Sequence, residues 1–190
     1  MKVLRDSAHE TLFNPGNMTH RIRVAALITD GDRILLVQHI HPVTREEWWV
    51  PPGGGVEQED GSVFDCARRE VFEETGLRVE LTNIVYIREF LDQENQARNL
   101  ELFVGSTAHS GELTLRHVQG SGPDENYIRG VRWVPRCELG NITVYPEVLR
   151  SSFWEDLAEG FPRTKYLGTQ YGDRTRRVGA TSNRTPYSQC

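Results

Sequence analysis

Three glutamates crowd into the stretch RREVFEETGL, residues 68–77, shortly before a glycine. Because an α-helix turns about 100° per residue, Glu70, Glu73 and Glu74 would share one face of a helix here. That arrangement costs stability, since Glu70 and Glu74 repel at i,i+4 and the last turns of a helix favour cations. Mg²⁺, which prefers carboxylate oxygens, would compensate, so the face indicates half of a metal site. The alternative is a solvated acidic face with pairs such as Arg69 and Glu73.

The helix that must carry these acids has start and stop signals. Ser62 suits the N-cap, Asp65 three residues later can return a capping-box-like bond, and Gly76 suits the C′ position. The sequence therefore predicts a helix from about residue 63 to 75. An apolar stripe beside the acids would pack on a sheet, so the acids should border the core. That stripe consists of Phe64, Ala67 and Val71.

The rest of the chain predicts mostly strands. The β-branched runs RIRVAALIT and RILLVQHI are separated by the hairpin signal DGD, and EWWVP is a further short strand. Its prolines and the following GGG predict a loop. After the helix, strands are expected at LRVELTNIVYIREFL, NLELFVGSTA and GVRWVP, and a second helix at PEVLRSSFWEDLAEGF. This order predicts an α/β (α+β) fold, with helices packed on a mixed sheet.

Composition and charge narrow the class of protein. A chain of 190 residues with 37% apolar content can bury the core of one domain, and a net charge of −5 argues against nucleic acid as a partner. No apolar run reaches the length of a membrane span, and MKVLRDSAHE lacks the apolar region of a signal peptide. The three cysteines have neither disulfide-framework nor zinc-ligand spacing, so we expect reduced thiols and a cytoplasmic location.

Three segments are predicted from these patterns. Residues 1–20 are an unpatterned N-terminal segment, and residues 21–161 form the domain. Residues 162–190 are a polar, basic C-terminal tail, with six Lys or Arg against one Asp. The tail lacks an apolar period, so we expect an appendage without a core.

The acidic stretch and the glycine loop together resemble the Nudix box, G-x5-E-x7-R-E-U-x-E-E-x-G-U, where U is aliphatic. The second half of the box matches at every fixed position: Arg69, Glu70, Val71, Glu73, Glu74, Gly76 and Leu77. The first half departs, because eight residues and not seven separate Asp60 from Arg69. We interpret this as one inserted residue before the helix, with Asp60 or Glu59 in place of the first motif glutamate. The resemblance extends from about Arg21 to Leu139.

The resemblance implies a Nudix α-β-α sandwich with a mixed central β-sheet. It also implies a Mg²⁺-dependent hydrolase, with Mn²⁺ as a substitute, that cleaves the diphosphate linkage of a nucleoside diphosphate derivative by water attack on phosphorus. The implied metal ligands are Glu70, Glu73, Glu74 and the Gly53 carbonyl. Arg69 would orient the carboxylates. The alternative is a Nudix-fold nucleotide-binding or regulatory domain without hydrolysis.

The general base and the substrate contacts are less specified. Glu125, in GPDENY, and Glu74 are both candidate bases, and the alternative for Glu125 is a solvated loop acid. Trp49 could stack a base, as could Trp48, Phe90 and Tyr127, although aromatic residues in strands are more often core. His39, beside His41 at a strand end, and Arg98, in the predicted hairpin loop QENQARN, are candidate phosphate contacts. The expected partner is a nucleotide-type small molecule, with no membrane, and a homodimer is a further expectation.

Overall fold

The computed structural model describes residues 18–92, 95–118 and 123–172. The strands are β1 (Thr19–Leu27), β2 (Thr29–Asp30), β3 (Arg33–Ile40), β4 (Glu47–Val50), β5 (Gly53–Gly55), β6 (Arg78–Asp92), β7 (Ala97–Ser110), β8 (Ile128–Pro135) and β9 (Lys165–Gly172). The α-helices are α1 (Val63–Thr75) and α2 (Phe153–Ala158), and 3₁₀ turns span Pro123–Asn126, Arg136–Asn141 and Glu147–Arg150.

The strands form two sheets. The larger has the order β5-β1-β7-β6-β9, in which β1 and β7 are parallel, as are β6 and β9, while β5 and β7 run antiparallel to β1 and β6 respectively. In the smaller sheet, β3 pairs antiparallel with β2, β4 and β8. The predicted mixed sheet is therefore confirmed.

Side chains alternate between two faces of the strands, as a period of two requires. In β3, Ile34 and Leu36 join the cluster that contains Phe153 and Trp154 of α2, whereas Leu35 joins the cluster that contains Val71 of α1. Helical elements thus pack on opposite sides of the strands. The predicted α-β-α arrangement is confirmed.

Helix α1 has the predicted bounds. The Ser62 hydroxyl accepts a hydrogen bond from the Asp65 backbone N–H at 3.1 Å and donates to the Asp65 carboxylate at 2.7 Å. The predicted bond from Asp65 back to the cap residue therefore forms with the Ser62 hydroxyl. Gly76 ends the helix with a φ of 75°, a left-handed conformation that glycine adopts without a Cβ penalty.

The GGG segment and the second helix differ from their predicted secondary structure. The GGG segment forms the short strand β5, because glycine allows the backbone to approach β1 closely: a Cβ on Gly53 would lie 2.2 Å from the Val24 carbonyl oxygen. The second predicted helix is interrupted between residue 150 and Phe153. Ser151 lies at this break, and its hydroxyl donates to the Val148 carbonyl at 3.2 Å, a local bond that competes with helix continuation.

The interpretation of residues 162–190 as an appendage differs from the structure at β9, which pairs in parallel with β6 along the edge of the larger sheet. Its side chains are half-buried or exposed, so the strand has no fully buried face that an apolar period would mark. Residues 173–190, like residues 1–17, lie outside the described residues.

The two cysteines in the described residues, Cys66 and Cys137, differ in their oxidation state. Cys66 is free and buried, as expected, and burial raises its pKa to about 12. Cys137 is disulfide-bonded, so the expectation of a reduced thiol is wrong there. Spacing along the chain does not reveal which sulfur atoms meet in space. Within the described ranges, no helix is both long and apolar enough to cross a membrane.

Candidate active site

Helix α1 turns its acidic face toward the sheet. Ala67 and Val71 are fully buried, and the adjacent Glu70 and Glu74 are only 8% and 2% exposed. The side chain of Glu73 is 27% exposed and lies nearer the surface. The interpretation of a solvated acidic face is therefore wrong for Glu70 and Glu74, which border the core as the helical period predicts.

Arg69 joins two of the glutamates. Its Nη1 donates to Glu70 Oε1 at 2.9 Å and to Glu73 Oε2 at 3.2 Å. Its Nη2 also donates to the Gly55 carbonyl at 3.1 Å, which connects α1 to β5. Arg69 thus contacts two of the carboxylates that the motif implied it would orient, and its orienting role stays a prediction.

Asp60 provides the strongest contact of Arg69. The guanidinium donates through Nε to Oδ1 at 3.0 Å and through Nη2 to Oδ2 at 2.9 Å, a bidentate pair. Hydrogen bonding from Arg69 lowers the pKa of Asp60 from 3.8 to about 2. Glu59 is exposed. Of the two acids proposed for the first motif position, Asp60 is the one that the fold brings to the box.

Strand β5 lies directly against the glutamates. The Gly53 N–H donates to Glu74 Oε2 at 2.9 Å. A Cβ on Gly54 would lie 2.2 Å from Glu70 Oε1, so only glycine leaves room for this carboxylate. The glycines therefore shape the acidic site itself.

Burial changes the acidity of Glu70. Desolvation raises its pKa from 4.5 to about 7, although the positive charges of Arg69 and Arg23 act in the opposite direction. A buried carboxylate of this kind is stabilised in its charged form by a nearby cation.

The donor set fits a hard divalent cation, because it consists of carboxylates and a backbone carbonyl. In the ranges that the structure describes, however, no three His, Cys, Asp or Glu side chains converge into a metal-binding group. The Arg69 guanidinium binds both Glu70 and Glu73, and the Gly53 carbonyl lies 3.4 Å from Arg23 Nη2. The metal roles of Glu70, Glu73, Glu74 and Gly53 stay predictions.

The other predicted residues lie in three different environments. Glu125 is partly buried in the turn before β8, and its backbone carbonyl accepts from Arg129 at 3.3 Å. His39 is buried and stacks on Trp48, with ring centroids 5.5 Å apart. Arg98 lies within β7 and not in a hairpin loop, and its Nη1 binds Glu89 at 2.9 Å.

Trp49 lies in the core. It is 6% exposed, its Nε1 donates to Glu47 at 2.9 Å, and the Arg132 guanidinium lies 4.8 Å from its ring centroid. This environment favours the core role that the sequence left open over base stacking, and its substrate role stays a prediction.

Sequence reasoning missed the cleft beside Gly53. Arg23 enters it from β1, where Ala25 pairs with Gly53. The alternation of RIRV, which places Arg21 and Arg23 on one face, was the available signal. The cleft is lined by Arg23, Gly53, Arg88, Glu101, Phe103 and Tyr145, among others.

A mixed sheet between helices, with a capped acidic helix set against a glycine strand, defines an α+β domain of the Nudix type. The NUDIX domain family matches residues 19–152, and the chain belongs to this family.

Curated relatives match over part of their length. The human protein named nucleoside diphosphate-linked moiety X motif 6 is 38% identical over 77 residues, which cover 40% of this chain and 23% of that protein. The putative hydrolase 111R of Invertebrate iridescent virus 3 is 37% identical over 70 residues, or 37% of this chain and 38% of that protein. The chain thus spans well under half of these relatives.

Solved structures support the fold. The Escherichia coli ORF135 protein has a TM-score of 0.57 at 20% identity, over 76% of this chain and 95% of that chain. The MutT protein from Bacillus halodurans has a TM-score of 0.54 at 21% identity, over 80% and 89% respectively. At these identities the likeness concerns the fold alone.

Proposed function

We propose that the chain is a Mg²⁺-dependent hydrolase that cleaves the diphosphate linkage of a nucleoside diphosphate derivative by attack of water on phosphorus. The observation that carries this proposal is the pair of buried carboxylates, Glu70 and Glu74, set against the glycines of β5. Burial and mutual repulsion make the pair unfavourable for the fold alone. A cation bound between the carboxylates and an anionic substrate would offset this cost, which is why the pair indicates a binding site.

The residues that would hold the cation are Glu70, Glu73, Glu74 and the Gly53 carbonyl, and Mn²⁺ would substitute for Mg²⁺. When bound, such a cation neutralises charge on the phosphate oxygens and lowers the pKa of a water. Arg69 restricts Glu70 and Glu73 through charge-assisted hydrogen bonds.

The protein's own charges would also orient the diphosphate. Arg23 lies beside Gly53, at the border between the acidic face and the cleft. A guanidinium there would bind a phosphate oxygen and hold the linkage next to the carboxylates. The remainder of the substrate would then extend toward Glu101 and Tyr145 in the cleft.

Glu74 and Glu125 are the two candidates for the general base. A general base must lie within hydrogen-bond reach of the water whose proton it accepts. Glu74 lies on the acidic face beside Gly53, and Glu125 lies in the turn before β8.

The test is a panel of nucleoside diphosphate derivatives in Mg²⁺, with phosphate release read after phosphatase coupling. We expect release with at least one derivative, loss in excess chelator and recovery with Mg²⁺ or Mn²⁺. Glu74→Gln should lower kcat at least about a hundredfold, because it removes a base or a charge from the cluster. Folding should persist, since a glutamine oxygen can still accept from the Gly53 N–H.

Glu125→Gln in parallel assigns the base, and Glu155→Gln, at an exposed position of α2, is the matched control. Large losses of kcat in both variants would make Glu125 the general base and Glu74 a metal ligand. A loss of kcat only in Glu74→Gln would mean that Glu125 is a solvated loop acid without a catalytic role. Full turnover in chelator would contradict the metal proposal. Nucleotide binding without turnover would support the regulatory alternative.

A further inference from the structure

Arg88 is a buried arginine in the cleft that the Nudix box does not explain. It is 6% exposed, and its guanidinium lies 5.8 Å from the Phe90 ring centroid and 5.6 Å from that of Phe103. Its Nε donates to Glu101 Oε2 at 2.5 Å, and its Nη2 forms an ion pair with the same oxygen. Burying this pair is costly unless its geometry is held by further hydrogen bonds.

Gln170 of β9 supplies such a bond. Its Oε1 accepts from Arg88 Nη1 at 2.8 Å, and its Nε2 donates to Glu147 Oε2 at 2.7 Å. Each of the three guanidinium nitrogens of Arg88 therefore contacts protein, and Arg88 is poorly suited to bind a phosphate. Its position instead fixes the carboxylate of Glu101.

Strand β9 lies outside the part of the chain that matches the family, which ends at residue 152. A residue that the family pattern does not include thus reaches a side chain that lines the cleft. The cleft has a volume of about 60 Å³, enough for several water-sized groups. It would hold one edge of a ring and not a whole nucleotide.

We propose that Glu101 is a substrate-specificity residue, which accepts a hydrogen bond from an N–H or O–H of the moiety attached to the diphosphate, and that Gln170 is a positioning residue that holds Arg88 and thereby Glu101. The inference rests on the proposed hydrolase function. A carboxylate only accepts hydrogen bonds, and both Arg88 contacts use Oε2, so Oε1 is not needed for that pair. The donor belongs to the base or to the sugar of the substrate. Analogues that lack one donor at a time distinguish these two possibilities.

The experiment uses the best substrate of the wild-type chain and three analogues, lacking the 2′-hydroxyl, the 3′-hydroxyl or one base N–H donor. We expect one analogue to lose about tenfold to a hundredfold in kcat/KM with the wild type, as for a hydrogen bond to a charged group. In Glu101→Gln and Gln170→Ala, the difference in kcat/KM between the parent substrate and the affected analogue, here called the gap, should be smaller. The reason is that KM for the parent substrate rises when the hydrogen bond is lost or misplaced.

Two further variants separate positioning from general stability. Thr169→Ala, at an exposed neighbouring position of β9, should keep the full gap. The double variant Gln170→Glu with Glu147→Gln swaps the two side chains. It keeps a hydrogen-bond acceptor for Arg88 at position 170, and it keeps a donor and an acceptor facing each other between positions 147 and 170. That double variant should restore the discrimination that Gln170→Ala loses.

An unchanged gap in both Glu101→Gln and Gln170→Ala would overturn the inference, as would a wild type that hydrolyses all three analogues like the parent. Calorimetric titration of the same compounds into each protein measures the discrimination in binding as well. If the wild type hydrolyses no derivative but its binding shows the gap, the hydrolase proposal fails and the role of Glu101 is supported. If neither hydrolysis nor binding shows a gap, the role of Glu101 is overturned.

Discussion

At the scale of single residues, Asp60 is the loop acid that contacts Arg69 of the box. Asp60 reaches Arg69 because the loop turns back on itself: the Glu57 N–H donates to Asp60 Oδ2 at 2.8 Å, and the Asp60 N–H donates to the Glu57 carbonyl at 3.2 Å. The extra residue before α1 is therefore absorbed by the loop, and the glutamates stay in register on the helix.

Replacing Asp60 by Asn should destabilise the fold. The lowered pKa of Asp60, about 2 against 3.8, corresponds to at most about 2 kcal/mol of unfolding free energy, because solvent screens part of an ion pair near the surface. Because the folded pKa is the lower one, this contribution is full above pH 3.8 and is lost as the pH falls through about 2. Chemical denaturation from pH 6 to about pH 2 should show the gap between wild type and Asp60→Asn closing at the acidic end.

The matched control is Glu59→Gln, which removes a charge from the exposed neighbour. It should leave the unfolding free energy within about 0.5 kcal/mol of wild type at every pH. An equal loss in Glu59→Gln, or an Asp60→Asn gap that does not depend on pH, would contradict the assignment of Asp60 as the partner of Arg69.

At the scale of secondary-structure elements, the site depends on how closely β5 approaches its neighbours. Gly53 meets the backbone of β1, and Gly54 meets the carboxylate of Glu70 on α1. The three-residue strand thus separates β1 from the acidic face by little more than a backbone. Antiparallel pairing with β1 holds this spacing, and it makes β5 part of the larger sheet.

Gly54→Ala should therefore damage the site far more than Gly55→Ala. The new Cβ at position 54 would lie 2.2 Å from Glu70 Oε1, whereas at position 55 the nearest atom is Arg21 Nη2 at 3.2 Å, at the end of a flexible side chain. Such overpacking costs about 1–3 kcal/mol, and we expect kcat to fall at least about tenfold in Gly54→Ala. Melting curves and turnover of the two variants provide the comparison, and equal behaviour would show that β5 can move away from α1.

At the scale of the whole molecule, contacts with the larger sheet continue beyond residue 161, where the apolar pattern ended the domain. Asp156 of α2 is buried, and it accepts from the Tyr86 hydroxyl at 2.6 Å and from Lys165 Nζ at 2.5 Å. Burial alone would raise the pKa of Asp156, but these hydrogen bonds outweigh burial and lower it. Strand β9 thus supplies a charge that a buried acid of the core requires.

A chain that ends at residue 161 should be less stable than one that ends at residue 172. The shorter chain loses the β9 pairing with β6 and leaves Asp156 without Lys165. We expect its melting temperature to be lower by at least about 5 °C, since an uncompensated buried charge costs several kcal/mol. Both chains lack residues 173–190, so their difference measures the contribution of residues 162–172, which include β9. Identical melting temperatures would place the domain boundary at 161.

The sequence by itself determined the features that depend on neighbours a few residues apart. The caps at Ser62 and Gly76 set the bounds of α1, and the helical period placed Glu70 and Glu74 beside the buried stripe. Tertiary structure decided the contacts between distant segments. It pairs β5 with β1 as a strand, and it brings Gln170 to Arg88. The physical reason is that a turn or a period is encoded in local dihedral preferences, whereas strand register and buried ion pairs exist only after the chain has brought distant residues together.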